Sequence, residues 1–129
     1  MAAYESSQVT FGTLTAAASL TAKQFYFVKL ASATTVNVCT AITDVPIGIL
    51  QNAPASGGAC TIAIFGISKV VADGTLAAGN LIGTSADSQA DAIVAGTDTT
   101  VYTMGVAIGA ASAGETSTMF LNPSFGRAA

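Results

Sequence analysis

Apolar positions in this chain come in short alternating runs separated by small and polar residues. Phe25-Tyr26-Phe27-Val28-Lys29-Leu30 is the strongest of them, rich in aromatic residues and broken by Ala31-Ser32-Ala33-Thr34. Alternation puts Tyr26, Val28 and Leu30 on one face and Phe25, Phe27 and Lys29 on the other. Further strands are expected at 35–39, 47–50, 60–72, 81–83, 91–95, 101–108 and 115–121. Thr43-Asp44-Val45-Pro46, Ser56-Gly57-Gly58 and Asp73-Gly74 read as turns. No stretch holds a 3.6-residue apolar period; the Ala-rich pieces 15–22 and 75–78 leave room for one turn of helix at most.

Part of the pattern is said twice. Gly48-Ile49-Leu50, the small-residue turn Ala53 to Gly57 and Thr61-Ile62-Ala63-Ile64 return as Gly105-Val106-Ala107, Ala110 to Gly114 and Thr118-Met119-Phe120-Leu121. The echo extends upstream with a shift of one, so that Leu20 to Tyr26 lies over Leu76 to Ile82, and Val36 and Val38 over Ala92 and Val94. Residues of about 20–65 and 76–121 therefore read as two versions of one β unit. The expected fold is all-β, a small β-barrel or β-sandwich built from two related units. The expected organisation is an extended N-terminal arm over 1–12, either flexible or an added strand, a single β domain over 13–122, and a C-terminal tail over 123–129 that leaves the sheet at Pro123.

Composition narrows what such a fold can do. The chain has 129 residues, the size of one domain. Only 9% are charged, against about 25% in ordinary domains. A surface poor in charge loses little on being covered, because few ions must be desolvated. This favours faces buried by neighbours over a solitary life in water. A net charge of −3 with four cationic residues gives no basic footprint for nucleic acid. No apolar run reaches the roughly 18–20 residues of a spanning helix, and no basic residue precedes Lys23 to suggest a secretory leader or a membrane-surface helix. Neither nucleic acid nor membrane is an expected partner.

The chemical inventory is thin. Histidine is absent, which removes Ser-His-Asp and Cys-His catalysis and the commonest metal ligand. Cys39 and Cys60 show no CxxC spacing; they read as buried thiols, with a disulfide open only if their strands pair in register. Glu5, Asp44, Asp73, Asp87, Asp91, Asp98 and Glu115 fall almost entirely at turns, where Asp bonds its own backbone. Asp87-Ser88-Gln89-Ala90-Asp91 lacks the glycine and distal glutamate of a calcium loop. Gly57-Gly58 lacks the lysine of a phosphate loop. No catalytic residue, metal site or cofactor is expected, and the chain reads as a non-enzyme.

Pro46-Ile47-Gly48-Ile49-Leu50-Gln51-Asn52-Ala53-Pro54-Ala55, then Ile64-Phe65-Gly66-Ile67-Ser68-Lys69-Val70, Ala77-Ala78-Gly79-Asn80-Leu81-Ile82, Met104-Gly105-Val106-Ala107 and Ala113-Gly114-Glu115 follow one another in a telling order. Over residues 40–121 they resemble the small capsid decoration, or cement, proteins of tailed bacteriophages. Asn80 stands where that family commonly has an acidic residue. The resemblance implies a structural virion protein on the outer surface of the capsid, made in the host cytoplasm. It would bridge subunits of the major capsid protein and self-associate, most often as a trimer and sometimes as a dimer. Contact with the shell is expected from Tyr4, Val9 and Phe11 in the arm and from Phe125 and Arg127 in the tail. The rival readings are a tail-tube or head-fibre component, a carbohydrate-binding β-sandwich and a hydrolase.

Overall fold

The computed structural model describes residues 3–127, so Met1, Ala2, Ala128 and Ala129 of the expected arm and tail lie outside it. The described residues form ten strands and no helix: β1 (Ser6–Phe11), β2 (Thr15–Ala16), β3 (Phe27–Leu30), β4 (Thr35–Val38), β5 (Gly48–Leu50), β6 (Ile62–Val71), β7 (Leu81–Thr84), β8 (Ala90–Ala92), β9 (Gly105–Ala107) and β10 (Thr116–Leu121). They make one sheet in the order β2-β4-β3-β5-β6-β10-β9-β7-β8, with β1 added on β6. The sheet does not close on itself, so the fold is sandwich-like rather than a barrel.

Outward from the central β6–β10 pair, the same strand pairings occur on both sides. Ile49 faces Ala63 and Leu50 faces Ile62; Val106 faces Phe120 and Ala107 faces Met119, each 57 positions on. Val28 faces Gly48 as Ile82 faces Gly105. Val28 faces Val38 as Ile82 faces Ala92. We call β3 to β6 the first unit and β7 to β10 the second. Upstream, the register equates Val38 with Ala92, a shift of 54, and not Val36 with Ala92. The cause is a connection: residues 93–104 link β8 to β9, whereas the shorter 39–47 links β4 to β5.

Two apolar cores hold the layers. The larger joins Phe27, Ile49, Ala63 and Val70 of the first unit to Ile82, Met104, Ala107, Met119 and Leu121 of the second. The smaller covers the other face of the first unit, packing Val28, Val36, Leu50 and Ile62 with Ala16 and Leu20. Long β6 serves both, with Ile62 in the smaller core and Val70 in the larger.

Polar contacts clasp the units together. Ser88, at the turn between β7 and β8, donates its hydroxyl to the Phe27 carbonyl and accepts the Cys39 amide N–H at 2.6 Å. The Phe27 amide donates to the Ser88 carbonyl at 2.8 Å. Ser85 Oγ accepts the Asp87 N–H, so the stretch once compared with a calcium loop is a hydrogen-bonded turn.

Of the two forms open to the N-terminal arm, the described residues take the added strand. Residues 6–11 are a strand of the chain's own sheet, with Val9 opposite Phe65 and Phe11 opposite Ile62. Register shifts flank Val9, and Ser7 has φ 50. The Ala-rich 15–22 stretch supplies β2, parallel to β4, instead of a helical turn. Cys39 and Cys60 are free thiols, each buried in a different core.

Candidate docking surfaces

Four of the five residues expected to meet a shell divide between two surfaces. Phe11 and Phe125 come together, although 114 positions separate them in the chain (125 against 11), in an open cleft of about 370 Å³ with Leu14, Leu30, Ile47 and Ile64. Pro123 turns the chain out of β10 and carries Phe125 to the cleft mouth, where it is 57% exposed at φ 55. Phe11 is partly buried against the smaller core.

Val9 and Tyr4 belong elsewhere. Val9 lies opposite Phe65 across β1 and β6, and both are more than half exposed. The Tyr4 amide donates to Thr118 Oγ1 at 3.0 Å, which ties the start of the described chain to β10. Nearby, a second cleft of about 430 Å³ is lined by Phe65, Gly66, Ile67, Phe120 and Leu121. Arg127 meets neither surface. Its guanidinium sits over the Tyr102 ring, 5.2 Å from the centroid, and the Thr103 amide donates to the Gly126 carbonyl at 3.0 Å, so the tail is fastened down.

The sequence reading missed Phe65, Phe120 and Leu30, all more than half exposed. A signal was present for Phe65: Ile62-Ala63-Ile64-Phe65 is apolar on both strand faces, a pattern of a strand covered on both sides.

Electrostatics leave both surfaces neutral. Lys23 lies 4.9 Å from the Tyr26 ring centroid and Lys69 5.5 Å from that of Phe25. Lys29 pairs with Asp44 at 2.8 Å. With Arg127 on Tyr102, each of the four Lys and Arg side chains is engaged within the chain. Burial alone would raise the Asp44 carboxyl, but the Lys29 ammonium and the backbone N–H groups of Thr40 and Ala41 outweigh it and hold it below the ordinary range.

No reactive constellation accompanies these surfaces. A polar hollow is lined by Lys23, Tyr26, Cys39, Thr40, Asp87 and Gln89, and Gln89 donates to the Tyr26 hydroxyl at 2.7 Å. Burial pushes the Cys39 thiol up to about 11, which keeps it protonated and unreactive at neutral pH. The Asp91 carboxyl is raised by burial, offset in part by the Ala92 N–H, with Asp73 and Asp98 adding repulsion. Among the described residues, no three His, Cys, Asp or Glu side chains gather as a metal site would need.

Similarity in fold runs the length of the chain. The chain is similar to the crystal structure of the N base of head fibre gp8.5 in bacteriophage phi29, with a TM-score of 0.66 and 16% identity. The match covers 90% of this chain and 95% of that one. No protein-family model and no curated protein matches the sequence.

Proposed function

We propose that the chain is a structural protein of a phage virion, a decoration protein that binds the outside of the head shell and bridges major capsid subunits. The carrying observation is the end-to-end likeness in fold to a phage head-fibre base. The ordered motifs over residues 40–121, resembling phage cement proteins, point the same way independently of that fold.

The physical role needs no chemistry. A protein that binds the assembled shell and not its separated subunits stabilises the shell by mass action, and many modest contacts add up. The cleft that joins Phe11 and Phe125 is the shell-facing contact in this reading, because it is apolar, uncharged and takes one residue from each of the segments expected to meet a shell. The same fold likeness favours a second reading, in which the chain is the foot of a head fibre.

Purified protein mixed with phage heads that lack it tests the reading. Co-sedimentation with the heads, saturating at a fixed copy number, is expected, together with a higher temperature of head disruption. Absence of both effects sinks the proposal. Density maps of decorated heads separate the two readings: a low knob over the capsomers fits a decoration protein, and a stalk rising from the knob fits a fibre.

A further inference from the structure

Three of the four faces of the two β units have their central rows covered from within the chain. The face of the first unit bearing Val28, Leu50 and Ile62 is covered by the segment carrying Ala16 and Leu20. Its other face, bearing Phe27, Ile49 and Ala63, is buried in one cluster with Ile82, Ala107, Met119 and Leu121, which form the inner face of the second unit. The outer face of the second unit is the fourth.

Register shows what that fourth face is. Phe27 faces Ile49 and Ile49 faces Ala63 in the first unit. Leu81 faces Val106 and Val106 faces Phe120 in the second. The two trios hold equivalent positions. All three members of the first are fully buried beneath a sheet, whereas Leu81 is 39% and Phe120 54% exposed. The row continues to Ile67, which faces Phe120 across β6. Directly opposed residues on antiparallel strands share a face, so Leu81, Val106, Phe120 and Ile67 form an apolar strip across four strands. Val101 packs over Gly83 at one margin, and the Tyr4 segment is tied to Thr118 at the other.

We infer that this strip is the contact between two copies of the chain, packed sheet on sheet about a two-fold axis. The chain itself shows the kind of layer that covers these positions: another of its own β units. Within a second copy, the central rows of three unit faces are already covered, so the uncovered central row available to supply the layer is the same strip. A surface that meets itself makes an isologous contact, which closes as a dimer. Charge permits it. The four side chains of the strip are uncharged; of the ionised neighbours, Lys69, opposite Thr118, is drawn over Phe25, and Glu5, at the margin, accepts from Gln8, which also donates to the Ile67 carbonyl. Self-contact of an ionised strip would place like charges together at a cost of several kcal/mol.

Light scattering on the purified 12.7 kDa chain, from low to high micromolar, is the test. A dimer is expected. Phe120→Asp is expected to weaken it by at least about 30-fold, the loss of a central apolar anchor. The milder Phe120→Thr serves if the aspartate variant does not fold by circular dichroism. Leu30→Asp, in the other cleft, is expected to leave the dimer intact. A wild-type monomer at the highest concentration overturns the inference. So does a trimer, the state the phage resemblance implies, since a two-fold contact alone cannot build one. A dimer indifferent to both Phe120 variants also overturns it. Binding to heads is a separate readout: a dimer that ignores heads leaves this inference standing and removes the proposed function.

Discussion

Gly48 and Gly105 occupy one position of the repeated strand pair, and each faces the same obstacle. A Cβ on Gly48 would strike the Ala63 carbonyl oxygen; a Cβ on Gly105 would strike that of Phe120. Ala63 and Phe120 are themselves equivalent by register. The glycine of the repeat is thus a requirement of close backbone approach, reinforced at Gly105 by φ 150.

Substitution follows from that crowding. Gly105→Ala is expected to cost about 3 kcal/mol or more, since backbone must move and a positive φ is kept. Gly79, with φ 90 but open space around it, is expected to lose only about 1 kcal/mol as alanine. Urea unfolding of the two variants checks the order; equal losses would show that approach distance is not the constraint.

Ser88→Ala removes a hydroxyl that donates to Phe27 and accepts from Cys39 between the units. Both backbone groups are buried, so the loss is expected at about 2 kcal/mol. The φ of 67 at residue 88 is shared by the variant and cannot account for it. Equilibrium denaturation measures the cost.

Asp44 organises the turn before Pro46, accepting from Lys29 and from the Thr40 and Ala41 amides. Asp44→Ala is expected to cost about 1–2 kcal/mol through the two backbone donors it abandons. Lys29→Met is expected to cost less than about 1 kcal/mol, because the pair is only partly withdrawn from solvent. The folded carboxyl titrates below its ordinary 3.8, so its stabilising effect is present above that value and fades as the pH falls through the lower, folded one. Asp44→Ala should therefore flatten the acid limb of the stability curve, readable by thermal melts at a series of pH values.

Cys39 and Cys60 are buried and raised in pKa by burial. A disulfide-exchange reagent at pH 8 is expected to modify neither thiol in the folded protein within minutes and both in urea. Rapid native labelling would show that the cores open.

Much of this architecture is legible in the residues. The all-β class and the repeat from Gly48 to Gly105 follow from alternation and glycine spacing, because cross-strand geometry restricts those positions directly. The offset between the upstream halves was misjudged, since connection lengths are free to vary where strands are not. The segment holding Ser6–Phe11 read equally as a flexible arm or an added strand because its own residues bury little; its place is set by β6, far along the chain. Phe11 and Phe125 were named singly, but their meeting depends on the turn at Pro123 and on β1 registry, which no local pattern encodes. Phe120 escaped notice because its equivalent, Ala63, is small and covered.

Strand β6 belongs to the first unit, yet it pairs with β10 of the second and feeds both cores. Neither half of the gene could then be expressed as a miniature of the whole: cutting between the repeats would strip one fragment of the strand on which its partner is built. Loss of order should spread through the entire chain in one step, and whatever load a shell places on one unit is passed through a shared backbone to the other.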